Sequence, residues 1–366
     1  MKLLYITNQI SGPGGLERVL SIKASYFADE LGHDVHILTL NDTTDSLFFD
    51  FSSSIQTHNI ELKNSPIHYI KGYLKGIKNT ISNVDPDIIL VCDDGLKGML
   101  LPLFIGRSRP MIYERHVSKE VAKGIGPNNL FNRLKTRLIY LLMRLGGQKF
   151  DAFVVLTQQN LKEWNFPNNI VIPNPLPFCK GKVSTLNNKI VIAVGKQSFQ
   201  KGYDRLIKSW KDVEKKFPEW KLHIYGSEDP SKKIEKDIEK LNLSDSIKLF
   251  KPVKNIKEKF IESSVHVLSS RYEGFGMVII EAMACGVPSV SFDCPYGPSD
   301  IIEDGKNGFL IPNGDIKALG KSLIYIIENS EKRKKMGAYA FKSVDKFQMS
   351  VIGEKWNDLF EQLQKN

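Results

Sequence analysis

No stretch of the 366-residue chain holds eighteen apolar residues in a row, so no membrane-spanning helix is expected. The first residues, Met1 to Ile6, read as the start of a strand. They have neither the longer apolar core nor the small-residue cleavage site of a secretory leader, and no leader is expected. Cysteine is scarce. Cys92, Cys179, Cys285 and Cys294 are scattered without metal-ligand spacing, which points to reduced thiols, a cytoplasmic setting and no sulfur chemistry. Asp-x-Asp is missing from any site-like position, and the acidic pair Asp93-Asp94 reads as loop. No metal is therefore expected to hold a phosphate. Arg-rich and aromatic-interleaved blocks are also missing, which argues against nucleic acid as a partner. There is no internal repeat or low-complexity tract.

Cationic charge is plentiful. Against 41 Asp and Glu stand 51 Lys and Arg, a net charge of +10, which calls for an anionic partner such as a phosphorylated substrate or an anionic membrane face. The length suits two domains. Apolar runs at Lys2–Thr7, Asp34–Leu40, Ile88–Cys92, Pro110–Tyr113 and Ala152–Thr157 read as strands, with a helix over Glu17–Leu31. Strands separated by helical patterns predict a parallel, doubly wound sheet, which binds ligands at the carboxyl ends of its strands. After the first strand, Ser11-Gly12-Pro13-Gly14-Gly15 invites comparison with the dinucleotide fingerprint. It fails, because Glu17 stands where the third glycine belongs. The loop is either a tight turn or a ligand loop using Gly14 and Gly15. In Tyr113-Glu114-Arg115-His116, just past a strand, His116 is a site candidate or a structural histidine.

Pro173, Pro175 and Pro177 stiffen Ile170–Phe178 and close the first domain. A second set of strands follows at Ile190–Val194, Trp220–Tyr225, Ile247–Phe250 and Val265–Leu268. The loop after Val194 holds Gly195, Lys196, Lys201 and Gly202. Its two lysines are either surface residues or a clamp for a diphosphate. The loop after Leu268 runs Glu273-Gly274-Phe275-Gly276 into a helix over Met277–Ala284, stopped by Gly286 and Pro288. Glycines before a helix N-terminus suit a phosphate, through free N–H groups and the positive end of the dipole. Glu273 and Glu281 would repel that phosphate. As ionised acceptors they suit a sugar diol, unless they are a solvated loop acid and an ordinary helix acid.

Glu273 through Glu281, followed by Ala282-Met-Ala-Cys-Gly-Val-Pro288 and Gly305-Lys-Asn-Gly-Phe-Leu310, resembles the E-x7-E region of glycosyltransferase family 4. These are retaining, nucleotide-sugar-dependent transferases of the GT-B fold. The resemblance implies two Rossmann-like doubly wound α/β domains facing each other across a cleft. Their expected extents are 1–178 plus a returning helix over 348–366, and 179–347. It also implies transfer of a hexosyl group from a nucleotide diphosphosugar, a UDP-sugar being expected, to a glycan or lipid-linked glycan acceptor in surface polysaccharide biosynthesis. No cofactor is implied. Lys196 and Lys201 would meet the diphosphate, with Lys196 standing where arginine is common. Gly195, Gly274, Phe275, Gly276 and Met277 would line the nucleotide-sugar site. Glu281 would hold the ribose and Glu273 the donor sugar, while the base would rest on backbone near Val253. His116 would orient the sugar, and Gly14 and Gly15 would reach toward phosphate and acceptor. A nucleotide-sugar epimerase or hydrolase of the same architecture is one competing reading. A non-enzymatic basic docking protein is the other.

The segment 131–145 carries a stripe of Leu134, Leu138, Leu141 and Leu145 beside Arg133, Lys135, Arg137 and Arg144. It reads either as a helix packing that stripe on the sheet or as peripheral contact with anionic membrane.

Overall fold

The computed structural model describes residues 1–42, 46–62, 65–119 and 130–365. The chain divides into two compact units, Met1–Pro177 with Met349–Asn366, and Phe178–Gln348. The first unit runs β1 (Lys2–Thr7), α1 (Gly15–Asp29), β2 (Asp34–Leu40), β3 (Gln56–Ile60), α2 (Pro66–Val84), β4 (Ile88–Cys92), α3 (Leu96–Met99), α4 (Leu101–Ile105), β5 (Met111–Glu114), α5 (Leu130–Gly147), β6 (Ala152–Val155), α6 (Gln158–Trp164) and β7 (Asn169–Val171). Its strands form one parallel sheet ordered β3-β2-β1-β4-β5-β6-β7. The central strands are almost uniformly apolar because helices cover both faces. Phe27 of α1 packs on one face with Leu3, Tyr5 and Val35; Ile77 of α2 and Met143 of α5 pack on the other with Leu4 and Val91.

The second unit runs β8 (Ile190–Val194), α7 (Tyr203–Lys216), β9 (Lys221–Tyr225), α8 (Lys233–Lys240), β10 (Ile247–Phe250), α9 (Ile256–Ile261), β11 (Val265–Leu268), α10 (Met277–Ala284), β12 (Ser289–Asp293), α11 (Pro298–Ile301), β13 (Gly308–Pro312), α12 (Ile316–Glu328) and α13 (Ser330–Ser343). Its parallel sheet is ordered β10-β9-β8-β11-β12-β13. The last helix, α14 (Met349–Lys365), belongs to the first unit. In both sheets the strand order reverses at a central pair, β1/β4 and β8/β11. A reversal opens a crevice at the carboxyl ends, which is where such sheets take ligands.

Several elements differ from the sequence reading. α1 begins at Gly15 with Gly14 as its cap, two residues before Glu17. β7 occupies the first residues of the proline-rich stretch assigned to the linker. The larger correction concerns α5. A helix packing its leucine stripe on the sheet would bury Leu134, Leu138, Leu141 and Leu145, yet all four are about half exposed and Phe131 is more so. The buried side instead carries Met143, Gly146 and Gly147. A Cβ on Gly146 would lie 2.3 Å from the Met99 carbonyl oxygen, so the helix backbone comes close to α3 there while Met143, with Ile139 and Tyr140, reaches into the core.

α14 docks on α1 through Trp356 and Phe360. The Phe27 and Phe360 rings meet edge to face at 5.4 Å, and Trp356 is buried over the Lys23 ammonium at 4.4 Å. Trp356→Ala would leave a large cavity, expected to cost roughly 3–5 kcal/mol. Chemical denaturation should show that loss; a change below about 1 kcal/mol would contradict this account of how α14 is held.

Candidate active site

In the second unit the loop after β8 and the loop after β11 are tied together residue by residue. The Ser269 hydroxyl donates to the Lys201 carbonyl at 2.8 Å, and the Arg271 N–H donates to the Gln200 carbonyl at 2.7 Å. The Gln200 amide returns a bond to the Tyr272 carbonyl at 3.0 Å. The Arg271 guanidinium lies over the Phe199 ring at 3.9 Å and forks onto Asp204 at 3.0 and 2.8 Å. Burial pushes the Asp204 carboxyl up, but Arg271 outweighs it and holds the group below the usual carboxylate range. Gly202 sits at φ 65°, and a Cβ there would lie 2.2 Å from the Ser269 carbonyl oxygen. That contact and the left-handed backbone both demand glycine.

This bracing delivers Lys201 to Glu273. The ammonium donates to the Glu273 carboxylate at 2.8 Å, and the Ser270 hydroxyl donates to the same oxygen at 2.5 Å. The Lys201 stem crosses Gly195 (φ 150°), where a Cβ would meet Lys201 Cε at 2.8 Å. Beneath the pair His266 is fully buried, bonded to the Ser289 hydroxyl at 2.9 Å. Burial, aided by the Lys201 charge, pushes its pKa down to about 3, so it is neutral. Lys196 stands exposed at the end of β8 and makes no ion pair among the described residues.

The Glu273-Gly274-Phe275-Gly276 turn leads directly into α10, with Gly276 at φ 95° as cap. Phe275 turns its ring inward against Phe347 at 5.6 Å, and its carbonyl packs on Gly297, where a Cβ would lie 1.9 Å from the oxygen. Glu281 lies in the second turn of α10 and is buried. Val253 is partly exposed in the loop after β10, three strands from β11. Phe250, exposed at the end of β10, stacks on Tyr225 at 4.7 Å. Sequence reading gave no role to this aromatic pair, to Arg271 or to Asp204.

In the first unit the carboxyl ends of β1, β4 and β5 carry a second polar cluster. The Gly12–Gly15 loop wraps the Glu17 carboxylate: a Cβ on Gly14 would lie 2.3 Å from Glu17 Oε2, and one on Gly12 2.8 Å from Oε1. An acceptor-only carboxylate here disfavours a phosphate against this loop and favours hydroxyl donors. Gly15 has open space around it. The His116 N–H donates to Asp94 at 3.0 Å, and its Nε2 lies 3.2 Å from Glu114 Oε2. Glu114 is fully buried and paired with Lys23. Burial would raise the Glu114 carboxyl, but the Lys23 ammonium and the His116 ring reverse the effect and hold it at about 2. Cys92, Glu114 and His116 place possible ligand atoms within 4.8 Å of one another. The carboxylate is already matched by an ammonium, and burial pushes the Cys92 thiol up. The cluster therefore reads as a proton and charge network rather than a metal centre.

Matches to known proteins follow this geometry. Residues 180–343 match the family model described as glycosyl transferases group 1. An uncharacterized glycosyltransferase of Haemophilus influenzae is 28% identical over 98% of this chain and 99% of its own length. The amylovoran biosynthesis glycosyltransferase AmsD of Erwinia amylovora is 28% identical over the same shares. A TarM variant from S. aureus, crystallised with fondaparinux, α-GlcNAc-glycerol and UDP, superposes with a TM-score of 0.81 over 98% of this chain and 99% of its own, at 18% identity. The two parallel Rossmann-like sheets are thus those of a GT-B glycosyltransferase. Residues 180–343, within the second unit, carry the glycosyl transferases group 1 match, and the chain is similar to glycosyltransferases over almost its whole length.

The Glu114–Lys23 pair yields a stability prediction. A carboxyl held below its unfolded value of 4.5 stabilises the fold above that pH, and the contribution fades as pH falls toward about 2. Lys23→Met removes the counter-charge, so the acid-unfolding midpoint followed by circular dichroism should move to higher pH. An unmoved midpoint would contradict the pairing.

Proposed function

We propose that the chain is a retaining, metal-independent hexosyltransferase that uses a UDP-sugar and a glycan hydroxyl in surface polysaccharide biosynthesis. The observation that carries this reading is the Lys201 ammonium set on Glu273, at the strand-order reversal and one turn before α10. An ammonium has three protons. Lys201 can keep Glu273 and still donate to a phosphate oxygen, so charge growing on the leaving diphosphate meets a donor already in place. Lys196 adds a mobile second cation, and the two lysines take the electrostatic part a metal would otherwise play. The free N–H groups at Gly276 and Met277 face the same anion. Glu281 holds the ribose diol and Glu273 the sugar hydroxyls, with backbone near Val253 under the base. On the first unit His116 and the Gly14-Gly15 turn address sugar hydroxyls. UDP in the TarM crystal and the polysaccharide named for AmsD support the donor and the pathway class. No protein nucleophile is assigned; the leaving phosphate takes the acceptor proton on the same face.

We further propose that the acceptor is reached at the inner face of the cell membrane. No helix among the described residues is long and apolar enough to cross a bilayer. The support for peripheral contact is the exposed side of α5, where Phe131, Leu134, Leu138, Leu141 and Leu145 lie beside Arg133, Lys135, Arg137 and Arg144.

Lys201→Ala should lower turnover about 10²–10³-fold with the unfolding transition little changed, and UDP should raise the melting temperature equally with and without a chelator. Near-normal turnover removes Lys201 from the mechanism, and a UDP shift that needs a divalent ion removes the metal-independent reading. Cosedimentation should capture the protein on phosphatidylglycerol vesicles, less so as salt rises, and weakly on phosphatidylcholine. The Leu138→Glu, Leu141→Glu double variant should fold and stay in solution. Equal capture by both vesicle types, or by neither, would sink the membrane reading.

A further inference from the structure

We propose that Glu114, held by Lys23, is a positioning residue that, whenever the His116 ring is in its neutral form, keeps the proton on Nε2 and presents Nδ1 as an acceptor for a sugar hydroxyl. The inference rests on the reading of His116 as a substrate contact and specifies its chemistry.

Glu114 ends β5, and His116 follows two residues later. Its Nε2 sits 3.2 Å from Glu114 Oε2. An ionised carboxylate only accepts, so Nε2 must donate. Lys23 ensures that the carboxylate is ionised: both side chains of the pair are 2% exposed, and the ammonium lies under the Trp356 ring. With Nε2 as the donor, the neutral ring has its lone pair on Nδ1. Among the described residues Nδ1 has no hydrogen-bond partner, and the His116 backbone is pinned to Asp94. The ring is thus anchored at one nitrogen and unbonded at the other among the described residues.

A purely structural role would ask less of these residues. An ion pair that only fastened α1 to β5 would not need its carboxylate shared with an imidazole. Burying two charges is costly, and apolar residues often replace such pairs without loss of stability. Fixing a tautomer is a reason to keep the pair, because which ring nitrogen carries the proton decides whether a hydroxyl is met by a donor or an acceptor. Trp356 joins the chain from the opposite end of the sequence, so the returning helix α14 supports the ring through Lys23.

The test uses full-length protein with 15N-labelled histidine and long-range proton–nitrogen correlation spectra at neutral pH. The His116 signals are assigned by their loss in His116→Gln. In the wild type Nε2 is expected as the protonated nitrogen and Nδ1 as the bare one. The Lys23→Met, Glu114→Gln double variant removes both charges together, so no buried charge is orphaned. It should fold, mix the tautomers and lose about 10–100-fold in kcat, the usual range for partners that orient a functional imidazole. A proton on Nδ1 in the wild type overturns the proposal, as does a double variant with unchanged tautomer and kcat. Full turnover in His116→Gln, with the Nε2–H tautomer found in the wild type, would overturn the substrate role instead, and with it the catalytic use of the positioning.

Discussion

Lys201 and Glu273 come from loops that leave neighbouring parallel strands, and the contact between them makes one surface out of two. An exposed lysine is a poor catalytic cation, because its long stem samples many rotamers and water screens its charge. Here the stem is confined by Gly195, and the head is fixed by a carboxylate that Ser270 in turn orients. Much of the ordering entropy is therefore lost on folding rather than on binding. The bracing residues earn their place in the same way. Arg271 touches no ligand in any reading given above, yet it binds Phe199 and Asp204 from the far loop. Gly202 lets the two backbones approach to a distance no side chain would tolerate.

The first unit answers a similar problem with deeper burial. Its polar groups also gather at the carboxyl ends of central strands, but Lys23 and Glu114 are sealed from solvent. Sealed charges must be matched, and the match fixes geometry: the Glu114 carboxylate anchors the His116 ring at Nε2. The Gly-rich loop follows the same logic. Its glycines make room for Glu17, and a carboxylate so placed changes what the loop can bind. The second unit thus gathers ammonium groups at its strand ends, and the first gathers carboxylate acceptors. A transferase needs both halves of that chemistry.

The central strands were legible in the sequence because they are buried on both faces and read as unbroken apolar runs. β3 was not, since Gln56–Ile60 is polar and mostly exposed at a sheet edge. β7 spans three residues, too few for a pattern. The loop glycines and lysines were legible because spacing and a family resemblance single them out. Arg271 and Lys23 were not. Each acts through a partner tens of residues away, Asp204 and Glu114, and nothing in local spacing announces such a pair. Glu17 was noticed only as the residue that spoils a fingerprint, whereas it is what the loop is built around.

α5 shows how far amphipathicity alone carries. The leucine spacing identified a stripe correctly, but a stripe does not say which face the core will take. The core took the other one, because Gly146 and Gly147 allow an approach that a leucine would block. Five large apolar side chains then stay about half or more in water, each leucine forgoing about half of the roughly 1.5–3 kcal/mol that full burial contributes, on a helix whose other exposed positions are largely basic. A water-facing helix without a partner gains nothing from that arrangement, since polar residues there would serve solubility better. A helix that meets an anionic bilayer gains from both halves of it, with leucine entering the acyl boundary and arginine remaining among the headgroups.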